Sequence, residues 1–148
     1  MNGFKVVGAT TGQVIHSEYT SHGAIAKGDL VVLKTDGQVE PSAAGNAVLG
    51  VAINAATGAG QKVTVARGNR LRVLGESDEV GDLMAADMVG ARVDITGGTG
   101  AQKVDISTAA QAGTGADTGQ LIVVRNNPEG YGFDTDTKLA ILEIIEQQ

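Results

Sequence analysis

The sequence predicts an all-β protein, a small β-barrel or sandwich of about nine or ten short strands. Three observations predict it. Apolar residues come in short runs cut apart by turn residues, most clearly from Lys27 to Gly75. The 22 glycines are about twice an average share and follow no period, which excludes collagen and indicates frequent turns. With two Phe, two Tyr and no Trp, the core must be built from Val, Ile, Leu and Ala, which fill narrow spaces between β-layers rather than a wide aromatic-lined pocket. At 148 residues a single domain can bury such a core without disulfides or metals. The expected organisation is an N-terminal arm or first hairpin over 1–26, then a β-barrel domain over 27–148, with lobes at 27–75 and 76–148 if it divides at all.

Taken in order, Val6-Val7 and Val14-Ile15 are two extended pieces separated by Gly8, Thr10, Thr11 and Gly12. They form either a first hairpin or an arm that orders only against a neighbouring subunit, because their own apolar surface is small. Leu30 to Leu33 is a β-branched apolar run, and Asp36-Gly37 supplies the tight return into Gln38-Val39-Glu40. Val48 to Ile53 is the next strand, and Gly50 inside it marks a bulge or a close backbone approach. Lys62 to Arg67 and Arg70 to Val73 alternate polar and apolar residues, so Lys62, Arg70 and Arg72 face water, with Gly68-Asn69 as the turn between two strands.

Ser77 to Met88 carries competing signals: Ser77 caps a helix and Leu-Met-Ala-Ala favours one, while Gly81 opposes it. A strand there would fit a weak internal echo. Gly28-Asp29-Leu30 resembles Gly81-Asp82-Leu83, and Gln61-Lys62-Val63 resembles Gln102-Lys103-Val104. Alternation resumes at Val89, Ala91, Val93 and Ile95 and again at Val104 and Ile106, a hairpin turning at Gly97 to Gly100. Ser107 to Gly119 reads as a small, polar surface loop. Leu121 to Val124 is a buried-type strand, Asn127 to Gly130 a turn, and Leu139 to Ile145 a last strand rich in isoleucine.

Charge and composition exclude several function classes. The net charge of −6 repels polyanions and offers no counterion release, so nucleic acid is not an expected partner. No apolar run approaches the roughly 20 residues that span a bilayer, and Met1 to Thr20 lacks a signal-peptide pattern. The expectation is a soluble protein made in the cytoplasm, without a membrane partner. Without cysteine there are no disulfides, thiolate metal sites or thiol nucleophiles. His16 and His22 have no carboxylate or thiol cluster at metal-ligand spacing around them. Asp134-Thr135-Asp136 resembles a fragment of a calcium loop but lacks the Gly and the terminal Glu of an EF-hand. The glycine stretches Gly97 to Gly100 and Gly113 to Gly119 lack the Lys-Ser/Thr ending of a phosphate loop, and Ser17, Ser21 and Ser42 have no Gly-x-Ser-x-Gly context. No catalytic, cofactor-binding or metal-binding residue is assigned, no cofactor is expected, and the chain is not expected to be an enzyme.

Two resemblances remain. Gly23 to Leu33 looks like the opening of lipoyl and biotinyl carrier domains, which would make Lys34 or Lys62 the modified lysine, although neither sits in a carrier-type sequence. More of the chain resembles the small capsid decoration, or cement, proteins of tailed bacteriophages. Ala-Lys-Gly-Asp-Leu-Val-Val-Leu, Val48-Leu49-Gly50-Val51-Ala52 and Gly60-Gln61-Lys62-Val63-Thr64-Val65 carry that likeness over Ala24 to Gly75, and Val89 to Val124 looks like the second half of such virion proteins. The resemblance implies a head-stabilising structural protein on the outer surface of the mature capsid, a homotrimer that bridges subunits of the major capsid protein. Cementing of that kind uses strand edges or ordering arms. Met1 to Ala26 and Leu139 to Gln148 are the segments expected to supply them, with Ser107 to Gly119 as a third contact. The alternative is a monomeric small-barrel binding or carrier module.

Overall fold

The computed structural model describes residues 3–78, 89–110, 119–126, 139–145 and 148. The all-β expectation is borne out: the described residues hold nine strands, all in one sheet, and no helix. The strands are β1 (Lys5–Ser21), β2 (Leu30–Leu33), β3 (Gln38–Pro41), β4 (Gly50–Ala52), β5 (Lys62–Glu76), β6 (Arg92–Thr96), β7 (Lys103–Ala110), β8 (Leu121–Asn126) and β9 (Leu139–Ile144). They lie side by side in the order β1-β3-β2-β4-β5-β9-β8-β6-β7, and β1 also pairs with β5. That extra pairing closes β1, β3, β2, β4 and β5 into a ring, from which β9, β8, β6 and β7 extend.

The ring begins with a hairpin the local sequence dictates. Asp36 turns the chain, its Oδ1 accepting the Gln38 N–H at 2.9 Å, and β2 and β3 pair from Leu33↔Val39 to Val31↔Pro41. β4 then docks between β2 and β5, with Val51 opposite both Leu30 and Ala66. Gly50 is required there by proximity: a Cβ would overlap the Ala66 carbonyl oxygen and lie 2.9 Å from Val65 Cγ1.

Two expected turns do not exist. The chain does not double back at Gly8 to Gly12; Lys5–Ser21 is one strand, paired antiparallel with β5 from Lys5↔Leu74 to Thr20↔Lys62. Likewise Gly68-Asn69 does not separate two strands, because β5 runs unbroken for 15 residues. The reason is shared. β1 lies along the whole of β5, and the pair absorbs extra residues of β1 as irregularities between Val6 and Gly8 and between Thr11 and Ile15. Gly68 serves close approach rather than a turn, since a Cβ on it would be 3.0 Å from Ala9 Cβ, and Arg70 takes the strained φ of 50° beside it.

β5 joins two cores. Val63 and Val65 pack with Ile25, Val31, Val39, Leu49, Ala52 and Ala56 among the ring strands. Leu71 and Val73, farther along the same strand, pack with Phe4, Leu30, Val93, Ile95, Leu121, Leu142 and Ile144 in a larger core that takes residues from both ends of the chain. Each such fully buried aliphatic side chain contributes about 1.5–3 kcal/mol. The later hairpins follow their alternation, with Val93 and Ile95 buried on β6 and Leu121 and Val123 buried on β8.

Two buried glutamines, which no periodicity marks, hold the extension to the ring. Gln102 accepts the Leu30 N–H at 2.6 Å and donates to the Leu30 and Ser42 carbonyls at 3.1 and 3.0 Å. Gln120 accepts the Ile95 N–H at 3.1 Å and donates to the Ala43 and Asn46 carbonyls. Their side-chain amides act as short stretches of ladder where no strand reaches.

Candidate functional site

The residues that chemistry singles out in the sequence do not converge. His16 is exposed on β1 opposite Ala66, while His22 faces Gln38 Oε1 at 3.1 Å and Asp36 at 3.7 Å. Ser21 donates to the Gly58 carbonyl at 2.7 Å and accepts the Gln61 N–H at 3.0 Å; Ser42 donates to the Ala47 carbonyl at 3.3 Å. Both are occupied in closing loops. Lys34 pairs with Glu40 and Lys62 with Glu18, at 3.3 and 3.1 Å. Among the described residues no group of three or more His, Asp or Glu could hold a metal ion. Asp134 to Asp136, Asn127 to Gly130, Gly113 to Thr118 and most of Ser77 to Met88 lie outside the described residues.

What the fold presents instead is an edge. β5 occupies one side of β1 throughout, and β3 meets the other side only at Thr20 and Ser21, in parallel. From Lys5 to Tyr19 no described strand pairs with that second side. That side of β1 is about 50 Å long at a strand rise of about 3.3 Å per residue, and a strand with one partner turns alternate N–H and C=O groups away from it. Ile15, 61 % exposed, is the most exposed large apolar side chain described and stands at the bulge midway along β1.

The edge rests on a firm backing. On β9, opposite Arg72, the Glu143 side chain is only 7 % exposed and takes Arg70 on one oxygen and Arg72, at 3.3 Å, on the other. Thr10 of β1 donates to the same carboxylate at 2.9 Å and to the Arg70 carbonyl at 3.1 Å. Arg70 and Arg72 therefore do not simply face water. They neutralise a buried carboxylate and stitch β1, β5 and β9 together. Farther along, Arg67 donates to the Tyr19 hydroxyl at 2.7 Å, and its guanidinium carbon lies 5.9 Å from the centre of the Tyr19 ring.

The C-terminal segment expected to pair is already used. β9 has β5 on one side and β8 on the other, so Leu139 to Ile144 offers no free edge. Gln148 caps the ring by bonding the Leu33 N–H and carbonyl through its side chain, at 2.7 and 2.9 Å. Of Ser107 to Gly119, residues 107–110 are not loop but the end of β7, which has β6 on one side and ends the sheet order; 111–118 lie outside the described residues, and Gly119 is buried against β6.

The described sheet thus has two strands with a strand partner on one side only, β1 over most of its length and β7. Residues 2–67 match the model of a family described as phage cement protein. The match takes in β1, β2, β3, β4 and the first part of β5, so the capsid-decoration resemblance carried by Ala24 to Gly75 is supported from Ala24 to Arg67. No curated protein matches the chain.

Proposed function

We propose that this chain is a virion structural protein of a tailed phage that binds the outer surface of the mature capsid. There it stabilises the head, without catalysis, by bridging subunits of the major capsid protein, and it works as a homotrimer. The observation that carries the reading is the open edge of β1, which lies wholly within the segment matching the cement family. An unpaired edge binds an extended partner through main-chain hydrogen bonds and needs no particular side chains. The two irregularities and Lys5 limit indefinite strand-on-strand growth of the protein on itself. An acidic exterior is also compatible with a position outside the shell, where no DNA needs to be held.

The test is a binding assay with undecorated capsids. The protein should have the mass of a trimer by light scattering, bind expanded capsids in preference to immature ones, and raise the temperature at which the expanded shell opens. Ile15→Lys, which puts a charge on the open edge without touching either core, should keep the circular dichroism spectrum and lose capsid affinity. A monomer that ignores expanded capsids would overturn the reading.

A further inference from the structure

A second feature of the matched segment differs from the edge in kind. Beside the start of β1 is a groove of about 310 Å³, whose lining includes the apolar Phe4, Val6, Val51 and Ile53 and the two lysines Lys5 and Lys27. Its size is at the bottom of the small-ligand range and suits an inserted side chain rather than a cofactor. The backbone around it is already bonded: Phe4 N–H to the Gly28 carbonyl at 2.7 Å, Gly28 N–H to Ala52 at 2.8 Å, and Ile53 N–H to Thr64 at 2.9 Å. The groove is thus rigid, and these amides have no free donor for an occupant. Recognition there falls to the apolar lining and the two ammonium groups.

Those two groups stand out against the rest of the surface. Among the described residues Lys34, Lys62, Arg67, Arg70, Arg72, Arg92 and Lys103 all have partners. Among the described cationic side chains only those of Lys5, Lys27 and Arg125 make no hydrogen bond or ion pair, and two of these three line one groove in a chain of net charge −6. Both lysines are exposed, which leaves them open to an anionic partner.

We propose that this groove docks an acidic segment of the capsid protein, which inserts an apolar side chain between Phe4 and Ile53 and sets flanking carboxylates on Lys5 and Lys27. The proposal rests on the function proposed above and specifies the partner's chemistry. Because Lys5 also begins the open edge, groove and edge form one surface, in which charge fixes where along β1 the partner strand starts. Elsewhere the acidic surface repels such a segment, so the groove also supplies orientation.

The experiment compares Lys27→Glu with Arg125→Glu, which change the net charge equally, in binding to expanded, undecorated capsids at low and at 0.5 M salt. Lys27 lies off β1, so its substitution leaves the edge intact. Lys27→Glu should weaken binding about tenfold or more, Arg125→Glu less than about threefold, and salt should weaken the wild type more than Lys27→Glu. Equal losses in the two variants, or none in Lys27→Glu, would overturn the groove while leaving the capsid reading intact. A wild-type protein that fails to bind would overturn both. If Lys27→Glu loses its thermal transition, Lys27→Gln against Arg125→Gln carries the same comparison at equal charge change.

Discussion

Gln102 is the residue whose replacement should reveal most about how the two parts of the sheet hold together. Its side chain is wholly buried and makes three hydrogen bonds to segments 72 and 60 residues away in sequence. Gln102→Met keeps the length and unbranched shape but removes all three. The Leu30 carbonyl keeps the Ser42 N–H at 2.8 Å, so it is not orphaned. The Leu30 N–H and the Ser42 carbonyl each lose a buried partner, at about 1–3 kcal/mol apiece, which gives about 2–6 kcal/mol together. Urea unfolding followed by circular dichroism should show the midpoint falling with little change in slope. Gln102→Glu should be worse near neutral pH, because a carboxylate cannot donate to the two carbonyls, and should partly recover when protonated. A Gln102→Met protein within about 0.5 kcal/mol of wild type would refute the claim that this amide acts as ladder between ring and extension.

Two further outcomes test the frame around the open edge. Gly50→Ala should destabilise the protein by about 1–3 kcal/mol or more in the same unfolding assay, because its Cβ meets the Ala66 backbone rather than a movable side chain; a neutral result would mean that β4 does not lie this close to β5. Burial pushes the Asp29 carboxyl above its ordinary range, against the opposing hydrogen bonds from the Ala26 and Gly100 N–H groups at 2.9 and 3.0 Å. Between the ordinary value of 3.8 and the raised one, the folded state holds a proton that the unfolded state has lost. Stability from this group therefore falls as pH rises through that window, by at most about 1.4 kcal/mol per pH unit. The stability of wild type relative to Asp29→Asn should accordingly grow as pH drops from 7 toward 4, and a difference that stays flat or shrinks would show that the carboxyl is not desolvated.

Much of the fold was legible in short windows. Alternation marked Val93 and Ile95 and the run from Leu121, Asp36-Gly37 marked the β2–β3 hairpin, and Gly50 within an apolar strand marked a close approach. At Gly8 to Gly12 and at Gly68-Asn69 a locally good turn is overridden by a distant partner, Gly8 lying opposite Arg72 and Thr11 opposite Asn69. Local chemistry favours a hairpin there, yet β1 and β5 gain an entire ladder by staying extended beside each other. Arg70 and Arg72 show the same limit. Their alternation put them on the polar face, which is where they are, but only register with β9 brings Glu143 beneath them.

The candidate surface divides in the same way. Met1 to Ala26 was legible as extended, but as a hairpin or an arm ordering against a neighbour, whereas residues 5–20 pair with the chain's own β5; Leu139 to Gln148 looked equally available, yet β8 and β5 lie on either side of its strand. Composition and periodicity by themselves determined an all-β chain with an aliphatic core and the places of most strands, since these depend on neighbours within a few residues. The tertiary structure alone decided which strand keeps an edge open, which carboxylate is buried under two arginines, and which lysines are left without partners around the groove at Phe4. Those properties depend on what a distant part of the chain does with the other side of a strand, and no local window contains that information.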